Sequence, residues 1–340
     1  MPNVPMRIVL CYPIEPRHLA QISAVVPQAE IVDAGYQRVA QEILTADIFC
    51  GHDRFLTIPW PEVVSRGRLR WIQSSAAGMD HCLVPSVIDS DITVCSASGV
   101  LADQVAEQTT ALMFGLARSL PTFFRAQQSR DFTRRPTRDV HGSTVGIVGF
   151  GGNGRRLAEV LAGYNTRIVA TDMFPEDRPP HVAELWPIDR LYDLLSMSDY
   201  VILAAPLNAQ THGMINRRAI DAMKRNACLI NVARGPLIVE ADLIEALRAG
   251  RLAGAGVDVT EVEPLPVDSP LWDLPNVIIT PHVGGQSARR VDDMTNLLCE
   301  NLRRYLAGEP LYNYLSDKRL GFPHPSTRPP VAVLRGTARA

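Results

Sequence analysis

No stretch of this sequence approaches the ~20 consecutive apolar residues of a membrane-spanning helix. The first ten residues lack a charged segment followed by a long apolar one, so no secretory leader is expected. Cysteine is sparse: Cys11, Cys50, Cys82, Cys95, Cys228 and Cys299 are scattered, and none forms a C-x-x-C pair. That argues against a disulfide framework or a metal site and for reduced core thiols in a cytoplasmic protein. Neither sign of charge dominates. Lys and Arg number 34 against 36 Asp and Glu, a net charge of −2, so no nucleic-acid or acidic-polymer partner is expected. No solenoid repeat is present. What is there is an ordinary globular composition, 46% hydrophobic and 21% charged, over 340 residues. That length accommodates two domains, each with its own core.

The chain is organised around residues 143–172, S-T-V-G-I-V-G-F-G-G-N-G-R-R-L-A-E-V-L-A-G-Y-N-T-R-I-V-A-T-D. A short apolar run, 145–148, leads into Gly149-Phe-Gly151-Gly152-Asn153-Gly154, which fits G-x-G-x-x-G. Leu157, Val160 and Leu161 then recur at helical spacing, and a second apolar run ends in Asp172. Each part has a physical task in holding a dinucleotide. Gly149 turns the chain sharply out of the strand, Gly151 lets a pyrophosphate approach the backbone, and Gly154 lets the helix pack close to the sheet. The helix start attracts the phosphates through its free N–H groups and dipole. Asp172 follows Gly154 by 18 residues, where an acid accepts hydrogen bonds from the ribose. A 2′-phosphate there would meet a carboxylate, which favours NAD over NADP; Arg167 and Arg178 nearby temper that preference.

The N-terminal third alternates strands (7–11, 30–33, 47–50, 69–73, 92–95) with helices (15–26, 36–44, 61–66) and has no phosphate fingerprint. It reads as a parallel, doubly wound partner domain. After its fourth strand, Ser74-Ser-Ala76-Ala77-Gly78-Met79 exposes successive amides that suit a carboxylate; a plain turn is the other reading. A long helix over 101–120, ended by Pro121, links to the cofactor domain, followed by an amphipathic stretch with Phe123, Phe124 and Phe132. Arg134, Arg135 and Arg138 form a solvated surface or an arm against a second subunit. Beyond Asp172, strands are expected at 200–204, 228–232, 255–259 and 277–280, and helices at 188–197, 217–223, 241–249 and 288–306. The last helix is long enough to return to the first domain, and the Pro- and Arg-rich tail from residue 323 reads as loose.

Ligands of an open parallel sheet bind past the carboxyl ends of its strands. Those ends bring Arg234 (in N-V-A-R-G), Glu263 (after V-D-V-T-E-V) and His282 (in T-P-H-V-G-G) to the nicotinamide edge. A guanidinium grips a 2-keto acid's carboxylate and polarises its carbonyl. An imidazolium gives the carbonyl oxygen its proton as hydride arrives, and a neighbouring carboxylate favours the charged imidazole. The blander alternatives are a structural histidine and an Arg234–Asp258 ion pair.

Over residues 6–315 the chain resembles the D-isomer-specific 2-hydroxyacid dehydrogenase family. The matching residues are the 148–154 turn, Asn231-Val-Ala-Arg-Gly235, Gly256-Val-Asp-Val with Glu263-Pro-Leu, Thr280-Pro-His-Val-Gly-Gly285, Val105-Ala-Glu107 and Gly78-Met-Asp80. The resemblance implies an α/β fold of two doubly wound parallel-sheet domains. A Rossmann cofactor domain (100–285) is inserted in a flavodoxin-like substrate domain (1–99 and 286–330). It implies Arg234 on the substrate carboxylate and carbonyl, His282 as general acid/base and Glu263 as its partner. Ala76, Ala77 and Gly78 would bind the carboxylate as well. Gly149, Gly151, Gly152, Asn153, Gly154, Asp172, Pro206, Val232, Ala233, Asp258, His282, Gly284 and Gly285 would contact NAD. A homodimer through the cofactor domains is expected. Asn153 stands where many members have an apolar residue, Ser96 where many have Asn, and Phe132 where Trp is frequent. Formate-oxidising relatives carry Gln at the Glu263 position and phosphite-oxidising ones Lys at Ala77, so neither activity fits. The expected activity is NAD-dependent interconversion of a small 2-keto acid, such as glyoxylate or hydroxypyruvate, with its D-2-hydroxy acid. A short-form phosphoglycerate dehydrogenase and a dinucleotide-sensing corepressor of the same fold are the alternatives. Arg54 and Trp60 are candidates for a charged substrate tail and a bulkier pocket, or plain surface.

Overall fold

Apolar runs of three to five residues become the buried strands of two parallel sheets, seen in a computed structural model that describes residues 5–53 and 55–335. Residues cluster into two units, Met1–Leu101 with Ser287–Ala340, and Ala102–Gln286. In the first, β1 (Arg7–Cys11), β2 (Glu30–Asp33), β3 (Ile48–Gly51), β4 (Trp71–Ser74) and β5 (Thr93–Cys95) alternate with α1 (Pro16–Val25), α2 (Gly35–Glu42), α3 (Trp60–Arg66) and the one-turn α4 (Pro85–Ile88). The sheet order is β2-β1-β3-β4-β5, a flavodoxin-like arrangement. Side chains alternate between the two helix layers. Val9, Phe49, Ile72 and Val94 enter one core, and Ile8, Leu10, Ile48, Cys50 and Trp71 the other. Burial on both faces is why these strands lack a polar alternation.

The second unit contains α5 (Ala102–Ala117), α6 (Leu120–Gln128), β6 (Thr144–Val148), α7 (Gly152–Ala162), β7 (Arg167–Asp172), β8 (Glu184–Pro187), α8 (Leu191–Met197), β9 (Tyr200–Leu203), α9 (Arg217–Ala222), β10 (Cys228–Asn231), α10 (Glu240–Arg248), β11 (Gly254–Val257) and β12 (Val277–Ile279). Its sheet runs β12-β11-β10-β9-β6-β7-β8, all parallel. Successive strands depart in opposite directions from the β6/β9 pair, which makes the switch point at which such sheets bind ligands. α5 lies close on β11 because a Cβ at Gly256 would stand 3.0 Å from Leu112 Cβ. Pro121 does not end α5, which stops at Ala117 before the left-handed Ser119; it occupies the first turn of α6, where its missing N–H costs nothing. β8 was not expected. Its Glu-Leu-Trp-Pro sequence has no apolar run because it is a half-exposed edge strand.

The chain then rejoins the first unit through α11 (Arg290–Ala307), whose Leu298 and Leu302 enter the core shared with β1 and β3. The tail is not loose. Val333 and Leu334 of α12 (Val331–Arg335) pack against Ala97, Val100, Met294 and Leu297; residues 336–340 lie outside the described residues. All six cysteines are free and buried. Burial pushes the Cys11 thiol up to about 12, which keeps it protonated and inert. No helix among the described residues is long and apolar enough to cross a membrane, and no group of three or more His, Cys, Asp or Glu among them could hold a metal ion.

Candidate active site

The glycine turn leaves β6 with the geometry a pyrophosphate needs. Gly149 adopts φ +94°, and a Cβ on it would stand 2.6 Å from the Ala205 backbone nitrogen. A Cβ on Gly154 would overlap the Gly149 carbonyl oxygen, so only glycine lets α7 start this close to the strand. A Cβ on Gly151, by contrast, would meet no protein atom within 4 Å. That is a cradle open to a ligand. The first amide bonded in the helix is Arg155 N–H, to the Gly151 carbonyl at 3.0 Å. The amides of Gly152, Asn153 and Gly154 precede it and have no intrahelical partner. The Asn153 side chain makes no hydrogen bond to protein among the described residues. These features fit a dinucleotide.

Asp172, at the end of β7, accepts N–H bonds from Phe150 at 2.6 Å and Phe174 at 2.9 Å. A carboxylate offers about four acceptor sites, so capacity for ribose hydroxyls remains. The arginine that acts on Asp172 electrostatically is Arg155, which the sequence reading passed over. Its guanidinium lies 4.9 Å from the Phe150 ring centroid and donates to the Glu176 and Asp177 carbonyls. Its place directly after the last glycine was the available signal. Arg167 instead begins β7, at the strand end remote from Asp172, and faces Glu184 at 3.9 Å. Arg178 donates to the Val182 and Ala183 carbonyls.

Strand register brings the remaining groups to one edge. Val148, Leu203, Asn231, Val257 and Ile279 are successive Cα partners across β6, β9, β10, β11 and β12. The chain therefore leaves that common rung at Gly149, at Ala204 toward Pro206, at Val232-Ala233-Arg234, at Asp258 and at Thr280. Asn231 shapes the third exit: its side chain donates to the Arg234 carbonyl at 2.9 Å and accepts from Ala233 N–H at 3.1 Å. Gly235 lets that loop touch the next, since a Cβ there would overlap the Thr260 carbonyl.

His282 Nδ1 lies 2.7 Å from Glu263 Oε2. An ionised carboxylate only accepts, so Nδ1–H donates and Nε2 is left at the other side of the ring. Glu263 Oε1 also accepts Thr260 N–H at 3.3 Å. Burial pushes the Glu263 pKa up, but the His282 hydrogen bond and charge, Thr260 N–H and the Arg234 charge outweigh it and hold it below the usual value. Both side chains keep partial solvent access, 46% for His282 and 38% for Glu263. His282 is itself in the left-handed region at φ +53°, an uncommon conformation for a non-glycine residue. Asp258 maintains the loop. Only 1% exposed, it accepts the Thr280 hydroxyl at 2.6 Å, Val283 N–H at 3.0 Å and Gly284 N–H at 2.8 Å. The Thr280 hydroxyl in turn accepts from Gln108 at 2.8 Å. Asp258 thus braces the histidine loop, while Arg234 Nη1 donates to the Ala233 carbonyl at 2.8 Å.

In the first unit, the Ala76 amide is already committed to Ser74 Oγ at 3.0 Å, and the Ala76 carbonyl accepts Ala97 N–H at 3.0 Å. The amides of Ala77, which is exposed, and of half-buried Gly78 have no acceptor among the described residues. Trp60 is not surface: it is 4% exposed, lies edge-on to Phe49 and donates its indole N–H to the His81 carbonyl. Arg54 lies outside the described residues.

The family model described as D-isomer specific 2-hydroxyacid dehydrogenase, NAD binding domain, matches residues 110–284. A glyoxylate reductase of Pyrococcus horikoshii is 34% identical over 256 residues, 71% of this chain and 75% of that protein. A glycerate dehydrogenase of Methylorubrum extorquens is 33% identical over 253 residues, 71% of this chain and 77% of that protein. Among solved structures, a D-isomer specific 2-hydroxyacid dehydrogenase from Xanthobacter autotrophicus Py2, in complex with NADPH and MES, matches with a TM-score of 0.80 and 28% identity, covering 93% of this chain and 100% of that one.

Proposed function

The chain belongs to the D-isomer specific 2-hydroxyacid dehydrogenase family and is an NAD(P)-dependent oxidoreductase, and from that premise we propose that it reduces a small 2-keto acid of the glyoxylate or hydroxypyruvate type, reversibly, to the D-2-hydroxy acid. The observation that carries this reading is the 2.7 Å Glu263–His282 pair on the same sheet edge as the glycine turn and the Arg234 loop. The nicotinamide, when bound, supplies or takes the hydride. His282 gives the proton to the carbonyl oxygen from Nε2 and recovers it in the reverse direction. Glu263 fixes the ring's orientation and stabilises its charged form. Arg234 takes the substrate carboxylate through its forked N–H groups and polarises the carbonyl. In the first unit, the Ala77 and Gly78 amides are assigned to a substrate carboxylate.

Gly149 to Gly154 hold the pyrophosphate, and Asp172 takes the ribose. Pro206, Val232, Ala233, Gly284 and Gly285 line the nicotinamide side, while Asp258 contributes by holding the histidine loop. Asp172 supports NAD over NADP, with Arg155 as the counterweight. Residues 100–285 act as the cofactor domain and 1–99 with 286–330 as the substrate domain. Exposed Phe124 and Phe132 support a homodimer formed through the cofactor domain. Six free, buried thiols support a cytoplasmic location.

The test is a panel of glyoxylate, hydroxypyruvate, 3-phosphohydroxypyruvate and bulkier 2-keto acids with NADH and NADPH. Turnover of the small acids, highest with NADH, is expected. Preference for the phosphorylated acid would make the chain a short-form phosphoglycerate dehydrogenase. Tight NADH binding without turnover of any acid would refute the reading in favour of a dinucleotide sensor.

A further inference from the structure

The loop after β4 is held by more than its own turn, and one of its supports comes from the neighbouring strand exit. His52, the residue after β3, places Nδ1 2.8 Å from Ser75 Oγ. The same two exits are joined along the backbone, where Ser75 N–H donates to the Gly51 carbonyl at 3.2 Å. Ser75 is 1% exposed, so this bond turns its side chain inward and sends the chain outward at Ala76. Ser74 Oγ accepts the Ala76 amide and donates to the Ala76 carbonyl, both at 3.0 Å. It also lies 3.4 Å from His81 Nε2 at the far end of the loop. The two imidazoles meet edge to face, with ring centroids 5.8 Å apart. The apolar anchoring is separate: Met79 and Cys82, 2% and 0% exposed, enter the core beneath.

From this arrangement we propose that His52 is a positioning residue for 2-keto acid binding, acting through Ser75 to set the direction of the Ala77 and Gly78 amides. The inference rests on the reductase reading above, in which those amides take the substrate carboxylate. A nest of two amides selects a carboxylate only when both point to one place before the ligand arrives. Flanking residues 76–78 are small and contribute no side-chain packing of their own, so the direction is set from the loop's ends. Because Met79 and Cys82 carry the packing, loss of the His52–Ser75 bond leaves the fold intact and loosens only the loop.

The experiment compares wild type, His52→Leu, His52→Asn, Ser75→Ala and the His52→Leu/Ser75→Ala double variant. Steady-state reduction of hydroxypyruvate is measured alongside calorimetric binding of oxamate to the NADH complex and of NADH alone. Removing one net hydrogen bond raises KM for hydroxypyruvate and the Kd for oxamate by about three- to tenfold in His52→Leu and in Ser75→Ala. The value of kcat and the Kd for NADH stay unchanged. His52→Asn, which restores a hydrogen-bonding group near the Nδ1 position, recovers most of the loss. The double variant is no worse than the worse single one, because both remove the same bond. Unchanged oxamate binding in His52→Leu overturns the proposal. So does a parallel loss of kcat, NADH binding and thermal stability that Asn does not recover, since that is a merely structural role. If wild type neither reduces hydroxypyruvate nor binds oxamate, the reductase reading itself fails and takes this inference with it.

Discussion

Asp258→Asn separates a brace from a cofactor ligand. In the native loop Oδ1 accepts two bonds, from the Thr280 hydroxyl and Val283 N–H, and Oδ2 accepts one, from Gly284 N–H. Asparagine must put an NH₂ in place of one oxygen. At the Oδ1 place it would confront both Val283 N–H and a Thr280 hydroxyl that already accepts from Gln108. At the Oδ2 place it confronts Gly284 N–H alone, which is the cheaper choice. One buried donor then goes unsatisfied, costing about 1–3 kcal/mol. The two retained bonds lose their charge assistance, adding roughly 1 kcal/mol. The sum, about 2–4 kcal/mol, is read from the urea midpoint at neutral pH, and kcat falls with it because His282 is carried on the same loop. NADH affinity, measured by fluorescence titration on folded protein, changes little. A variant within about 0.5 kcal/mol of wild type, but with weakened NADH binding, would show that Asp258 serves the cofactor and does not brace the loop.

Gly151→Ala places a methyl where no protein atom lies within 4 Å and where φ is an ordinary −73°, so thermal stability holds. The methyl points into the pyrophosphate's approach, so the Kd for NADH rises by roughly tenfold or more; unchanged affinity would remove the turn from the cofactor site. Asp172→Ala shifts the ratio of kcat/KM with NADPH to that with NADH upward by roughly tenfold, the factor equivalent to 1.4 kcal/mol of relieved repulsion; a constant ratio contradicts the ribose assignment. Glu263 has a depressed folded-state pKa, so its contribution to stability is present above the unfolded value of about 4.3 and is lost as pH falls through the lower folded value. Glu263→Gln and wild type should therefore converge in urea midpoint at acid pH and separate above it, by less than about 1 kcal/mol for so exposed a pair; a gap independent of pH would contradict the linkage.

What the sequence made legible follows physical strength of signal. Strands buried on both faces, such as Ile8–Leu10 and Tyr200–Leu203, announce themselves as apolar runs, and the glycine turn is recognisable because each glycine answers a separate steric demand. β8 escaped because an edge strand with one wet face needs no such run. The tail after residue 323 reads as rich in proline and arginine, yet Val333 and Leu334 pack on the first unit and the Thr327 carbonyl accepts Asn313 N–H at 2.7 Å. At the site, Arg234, Glu263 and His282 were nameable from their strand exits, because exits of parallel neighbours share an edge. Apart from Glu263 beside His282, the contacts that hold the surrounding loops were not. That Asp258 turns both oxygens to the 280–284 loop, and that Ser74 takes the Ala76 amide, depends on side-chain directions that spacing does not fix. Arg155 lay in plain view after Gly154, but its relation to Asp172 requires the fold.

The most direct measurement is kcat/KM for hydroxypyruvate with NADH in wild type and His282→Ala, with the NADH dissociation constant determined on the same preparations. A general acid contributes about 10²–10⁴-fold, so the variant should lose turnover by that order while binding NADH as wild type does. Turnover retained within about tenfold at unchanged NADH affinity would contradict the assignment of His282 as the proton donor.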